Sequence, residues 1–218
     1  MSKSNIEPQK VHKMQLWNDF KNILNTSSNH ILINEKNEYG NILEKLGVNE
    51  NSTLGQIVIN TAGILVDNTI RVYANGNDID MCNIYHFNLE LEQYLGNQRL
   101  VIADDIFGGL FALNKEASQS IKEEIWYFAP DTLEWENLEI NYKEFIDWIS
   151  GNSMNEFYST FKWSDFYKDV KDIKFNQGIL IYPFLWSNEC NIEAADKNIV
   201  PFSELITLNL EYKEKFNM

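Results

Sequence analysis

Leu100-Val101-Ile102-Ala103-Asp104-Asp105-Ile106-Phe107-Gly108-Gly109-Leu110-Phe111-Ala112-Leu113-Asn114 sets two short apolar runs either side of paired carboxylates and paired glycines. This is a hairpin signature. Gly108 and Gly109 can take the positive φ values that a tight connection demands, and Asp104 and Asp105 can accept hydrogen bonds from nearby backbone amides as turn formers do. Two antiparallel strands are therefore expected to meet here, near the middle of a sheet.

Working outward, the same punctuation recurs. Residues 56–60, 63–66 and 70–74 are short, rich in Ile and Val, and separated by Ala62-Gly63 and Asp67-Asn68, which predicts successive strands of a meander. Asn75-Gly76-Asn77-Asp78 predicts a turn, and residues 78–98 read as a polar excursion from the sheet. Beyond the hairpin, Ile125-Trp126-Tyr127-Phe128 predicts a strand closed by Ala129-Pro130-Asp131-Thr132. Residues 133–138 then alternate imperfectly, as a half-exposed edge strand does.

Helices are expected at both ends. Leu16, Phe20, Ile23 and Leu24 share one helical face, and residues 42–46 form a second helix ended by Gly47. Asn141 followed by Glu144 resembles a capping box ahead of Phe145, Ile146 and Ile149; Ser153 with Glu156 repeats the pattern, and Ser164 is placed to cap a third helix. A late run from Gly178, with Ile179, Leu180, Ile181 and Tyr182, predicts a strand stopped at Pro183, and a helix is expected from Pro201 to Leu208 or beyond. The fold class is α+β: one domain over 1–218, with a mainly antiparallel central sheet flanked by N- and C-terminal helices.

Composition narrows function by exclusion. With 32 acidic against 18 basic side chains the formal charge is −14, a field that repels nucleic acid and anionic membranes. It can instead steer a basic protein partner, although acidity also serves plain solubility. No apolar run approaches the roughly 18 residues of a membrane span, and the first residues do not read as a signal peptide, so a cytoplasmic address is expected. Cys82 and Cys190 are expected to stay reduced, and Asn25-Thr26-Ser27 and Asn51-Ser52-Thr53 are then chance glycosylation patterns.

Catalytic signatures are missing from the linear chain. Asp104, Asp105 and Asp67 could serve a metal or an acid–base pair, but adjacent strand residues point opposite ways and turn formation already accounts for them. His12, His30 and His86 are scattered, and no nucleophile elbow or phosphate loop is present. No cofactor or metal is expected. Trp135, Trp163 and Trp186 could be recognition anchors, against the ordinary alternative that each simply packs in the core.

Leu100 to Asp105, Gly108-Gly109, Phe111 to Asn114, Trp126-Tyr127 and a helix bearing Glu144-Phe145 and Trp148 together resemble the core of the SUKH superfamily, over about residues 55–150. Thr61-Ala62-Gly63-Ile64-Leu65-Val66-Asp67, Tyr127-Phe128-Ala129-Pro130-Asp131-Thr132-Leu133-Glu134-Trp135 and Tyr182-Pro183-Phe184-Leu185-Trp186 resemble, over nearly the whole chain, a bacterial family described only as domain of unknown function 2625. The SUKH resemblance implies an α+β fold and a non-catalytic protein-binding role, that of an immunity protein neutralising a bacterial toxin, with residues 151–218 as an extension. The partner is then another protein, such as a basic toxin domain, and the candidate binding residues are Asp104, Asp105, Gly108, Gly109, Asp131, Trp135 and Trp186. The competing expectation is a small-molecule or metal-dependent enzyme using Asp104 and Asp105 in a cleft.

Overall fold

Seven strands follow one another in space in the order of the sequence, each pair antiparallel: β1 (His30–Ile33), β2 (Thr61–Val66), β3 (Ile70–Tyr73), β4 (Arg99–Asp105), β5 (Leu110–Lys115), β6 (Ile121–Ala129) and β7 (Glu134–Asn141). The computed structural model describes residues 17–22, 24, 30–33, 41–76, 83–115, 121–151 and 153–216. The β4–β5 hairpin lies at the centre of this sheet, as its turn chemistry predicts. At the β2–β3 turn Asp67 and Asn68 both adopt φ of 50°, the left-handed pair that suits a twisted hairpin, and the Thr69 amide closes it on Val66 O at 2.9 Å.

Register defines two rows of side chains. Arg71, Asp104, Leu110, Phe128 and Trp135 are successive cross-strand neighbours on one face, whereas Ala103, Phe111, Tyr127 and Glu136 run along the other. Among the described residues, 17–22 are helical and the helices that follow are α1 (Ile42–Leu46), α2 (Thr53–Asn60), α3 (Ile84–Leu95), α4 (Tyr142–Ser150), α5 (Ser153–Phe157), α6 (Phe166–Asp169) and α7 (Phe202–Phe216). The first face is covered by α3 and α7: Tyr73 packs on Phe87 at 4.4 Å, and the Arg71 guanidinium lies 4.4 Å from the Phe202 ring. The second is covered by α4 and α5, with Phe111 4.9 Å from Phe145 and Tyr127 5.3 Å from Phe157. A separate two-stranded sheet, β8 (Gln177–Tyr182) with β9 (Asp196–Pro201), leads into α7. The buried apolar side chains form a single cluster that runs from Phe20 to Leu210.

Several local expectations hold for the reasons given. Gly47 ends α1 at φ 70°, and α4 begins with a complete capping box, Asn141 Oδ1 accepting from the Glu144 amide at 3.0 Å and Glu144 Oε2 from the Asn141 amide at 2.8 Å. The run at 177–182 is a strand that stops at Pro183, and the C-terminal helix extends to Phe216.

Others are corrected. Residues 56–60 belong to helix α2, not to a strand: the Ser52 hydroxyl caps it by accepting from the Gly55 amide at 3.0 Å, and burial of Leu54, Ile57 and Val58 outweighs the β preference of its branched residues. Gly63 lies inside β2 and separates nothing. The supposed excursion holds α3, whose cap Asn83 accepts from the Tyr85 and His86 amides and whose Ile84, Phe87 and Leu91 face the core. Ser164 caps no helix; its hydroxyl donates to Glu193 Oε2 at 3.2 Å, and Asp165 precedes α6 without a side-chain cap bond. Leu16, Ile23, Asn77, Asp78, His12 and Cys82 lie outside the described residues.

Asn88 shows how α3 is fixed to the sheet. Its amide nitrogen donates to Val101 O at 2.8 Å while its oxygen accepts from Val101 N at 2.7 Å, beside the bulge that interrupts the β4–β5 register between Val101 and Ala103. The side chain thus serves as a local strand partner.

Candidate functional site

Strand alternation sends Asp104 and Asp105 to opposite faces, and burial seals both, at 1% and 0% exposed. Asp104 is not a turn former. Arg71 stands directly across from it on β3 and Tyr73 two residues further on, so its Oδ1 accepts from the Arg71 guanidinium and its Oδ2 from the Tyr73 hydroxyl. The same guanidinium donates to Phe175 O at 2.9 Å, to Gln177 O, and to Asp105 O at 3.4 Å, tying the start of β8 and the residues before it to the central sheet.

Asp105 does form the turn. Its Oδ1 accepts from the Phe107 and Gly109 amides, both at 2.9 Å, and its Oδ2 from the Tyr127 and Tyr158 hydroxyls at 2.7 and 2.9 Å. Of the two glycines only Gly108, at φ 91°, uses the left-handed region. Gly109 is required for a different reason: a Cβ there would press into the Asp105 carboxylate and lie 2.5 Å from the Tyr127 hydroxyl. Burial pushes Asp104 up to about 7, against the pull of Arg71 and Tyr73, and raises Asp105 against its amide and tyrosine donors. The two carboxylates are thus held inside the fold with every oxygen accepting from a named donor.

The remaining predicted residues do not gather at this point. Asp131 is exposed in the β6–β7 turn. Trp186 is half-buried in an aromatic cluster with Phe184, Tyr212 and Phe216, at ring distances of 4.8, 4.9 and 5.4 Å. Trp163 is buried, its indole donating to Asp169 at 2.8 Å, and Cys190 is a free thiol raised by burial. Among the described residues no group of three or more His, Cys, Asp or Glu side chains is placed to hold a metal ion.

Trp135 does line a cavity. Arg99, the first residue of β4, points to the same sheet face and lays its guanidinium 4.1 Å from the Trp135 ring and 5.7 Å from that of Trp126. Lys213 of α7 reaches the same place, donating to Leu133 O at 2.8 Å. Between them opens a cavity of about 540 Å³ walled by Tyr94, Arg99, Trp135, Leu210, Lys213 and Glu214. Arg99 Nε and Trp126 Nε1 are buried donors with no acceptor. Burial lowers both the Arg99 guanidinium and the Lys213 ammonium, with Glu134 opposing the shift at Lys213. Of this group the sequence singles out only Trp135; Arg99 and Lys213 lie far apart in the chain and meet only through the packing of α7 on the sheet.

An antiparallel meander covered by helices on both faces makes this an α+β protein. The chain belongs to the family described as Protein of unknown function DUF2625, whose profile matches residues 10–205. It is similar to the uncharacterized protein YbfG of Escherichia coli (strain K12), 30% identical over 203 residues that cover 92% of this chain and 93% of that protein. It is also similar to an uncharacterized protein of Haemophilus influenzae (strain ATCC 51907 / DSM 11121 / KW20 / Rd), 27% identical over 177 residues, 77% of this chain and 75% of that protein. No solved structure matches it. No helix among the described residues is long and apolar enough to cross a membrane.

Proposed function

We propose that this chain is a non-catalytic protein-binding module of the cytoplasm, SUKH-like in fold, that acts as an immunity protein by covering a basic domain of a bacterial toxin. The observation that carries the reading is the open edge of β7. This strand is last in the sheet order, Glu134, Glu136 and Glu139 stand exposed along it with Asp131 in the turn before it, and Trp135 is half-buried among them. Acidic side chains on an edge discourage pairing with another copy of the same strand, and the same charges attract a basic partner. The overall charge of −14 adds long-range steering. The enzyme alternative gains no support from Asp104 and Asp105, which are sealed from solvent and bonded to Arg71, tyrosine hydroxyls and turn amides.

The test is affinity capture from the cells of origin at low and high salt, with an Asp131→Lys/Glu136→Lys double variant run in parallel. A basic protein recovered by the wild type, and lost both at high salt and with the variant, is the expected result. Recovery of nothing, or equal recovery by wild type and variant, overturns the proposal. A large secreted toxin encoded beside this gene would name the partner.

A further inference from the structure

We infer that the cavity between Arg99, Trp135 and Lys213 is a binding site for a small oxyanion, a carboxylate or phosphate carried on a flat apolar body. This inference does not rest on the protein-binding reading: Trp135 of β7 borders both, but the cavity is set by Arg99 and Lys213 on the covered sheet face and not by the edge carboxylates.

Two features meet there. Arg99 and Lys213 converge on one cavity in a chain whose net charge is −14, and among the described residues Arg99 has no carboxylate partner. Arg99 Nε is a buried donor facing no acceptor, a costly arrangement that native folds otherwise avoid. An oxyanion supplies the acceptors and the counter-charge together, and guanidinium is the group best matched to the planar geometry of carboxylate and phosphate.

The walls describe the rest of the ligand. Tyr94, Trp135 and Leu210 offer aromatic and aliphatic surface, and about 540 Å³ is within the size range of small-molecule sites. Glu214 at the wall and Glu134 near Lys213 disfavour additional negative charge, so the carboxylate is expected to bind more tightly than a phosphate monoester, which is largely doubly charged at neutral pH. Glu214 can also accept from a hydroxyl or amine on the ligand.

Calorimetric titration of the full chain with 2-naphthoate, 2-naphthyl phosphate and the neutral 2-naphthamide tests this, combined with indole N–H resonances read by nitrogen-15 correlation spectra. The expected result is saturable one-site binding of at least one anion, with the amide at least about tenfold weaker, and with Arg99→Gln and Lys213→Gln each weakening the anion by about tenfold or more. The Trp135 indole signal should move and that of Trp186 should not. The ratio of the two anion affinities identifies the preferred head group. Equal binding of amide and anion, absence of saturation by either anion, or shifts at Trp186 without shifts at Trp135 overturns the inference. Should a variant fail to fold, the wild-type spectra and the amide comparison decide it alone.

Discussion

Replacing Arg71 with methionine keeps most of the side-chain length and removes the charge that faces Asp104. Below about pH 4 the Asp104 carboxyl is protonated in both folded and unfolded chains, because its unfolded value is about 3.9. With a folded value pushed up to about 7, its protonated form stabilises the native state, and that contribution is lost as pH rises through 7. At pH 5 the variant therefore leaves Asp104 neutral and loses the donor to the carbonyls of Phe175, Gln177 and Asp105, a cost of about 3 kcal/mol at roughly 1 to 3 kcal/mol per buried acceptor, some of which find other partners. At pH 8.5 the wild-type carboxylate is ionised beside its guanidinium, whereas the variant's charge has no counter-ion. Its folded value climbs further, and each added unit costs about 1.4 kcal/mol. The total reaches about 5 kcal/mol, at the upper end of the 3 to 5 kcal/mol known for breaking a buried ion pair. Urea unfolding followed by tryptophan fluorescence at the two pH values measures both numbers. A destabilisation that is equal at both, or smaller at pH 8.5, refutes the account of this pair.

Wild-type stability should fall between about pH 4 and 7 as Asp104, raised by burial, ionises inside the fold; Asp104→Asn should show a flatter profile in the same urea series, and a parallel one would contradict it. Gly109→Ala forces a methyl against Asp105 and Tyr127 and should cost about 3 kcal/mol, a melting temperature lower by roughly 6 to 12 °C, whereas Gly96→Ala, with open space around it but φ 59° and ψ −161°, should cost about 1 to 3 kcal/mol through backbone strain alone. Asn88→Ala should lower stability by about 2 kcal/mol and speed hydrogen exchange at the Val101 amide, which loses its acceptor; unchanged protection there would show that the side chain is not the partner.

What could be read from the chain was what short-range chemistry decides. The central hairpin is legible because two glycines and an aspartate at its turn specify the reversal within five residues, and α4 because Asn141 and Glu144 cap each other. Helix α2 was not, since Ile57, Val58 and Ile59 carry a strand preference that only packing overrides. Helix α3 carried a signal in Asn83 and in the spacing of Ile84, Phe87 and Leu91, but its polar composition hid the period. Strand β9, with exposed Asp196, Asn198 and Ile199, has almost no apolar alternation and exists because β8 supplies it with a partner. The doubled carboxylates were legible as structure, but half the reason was not: Asp105 acts through its neighbours in sequence, while Asp104 depends on Arg71, placed opposite it by strand pairing. The Arg99–Lys213 cavity was invisible for the same reason.

The hold of Arg71 on Phe175 and Gln177 also governs how this protein can be dissected. A fragment cut after Gly151 would keep all seven strands of the large sheet, yet it would strand a guanidinium with nothing but Asp104 and Asp105 to satisfy it, and it would take Tyr158 away from Asp105 and Phe202 away from Arg71. Shortened expression clones, split reporters and fusion junctions belong at the chain's outer loops, because its last third acts as the clasp that closes the rest.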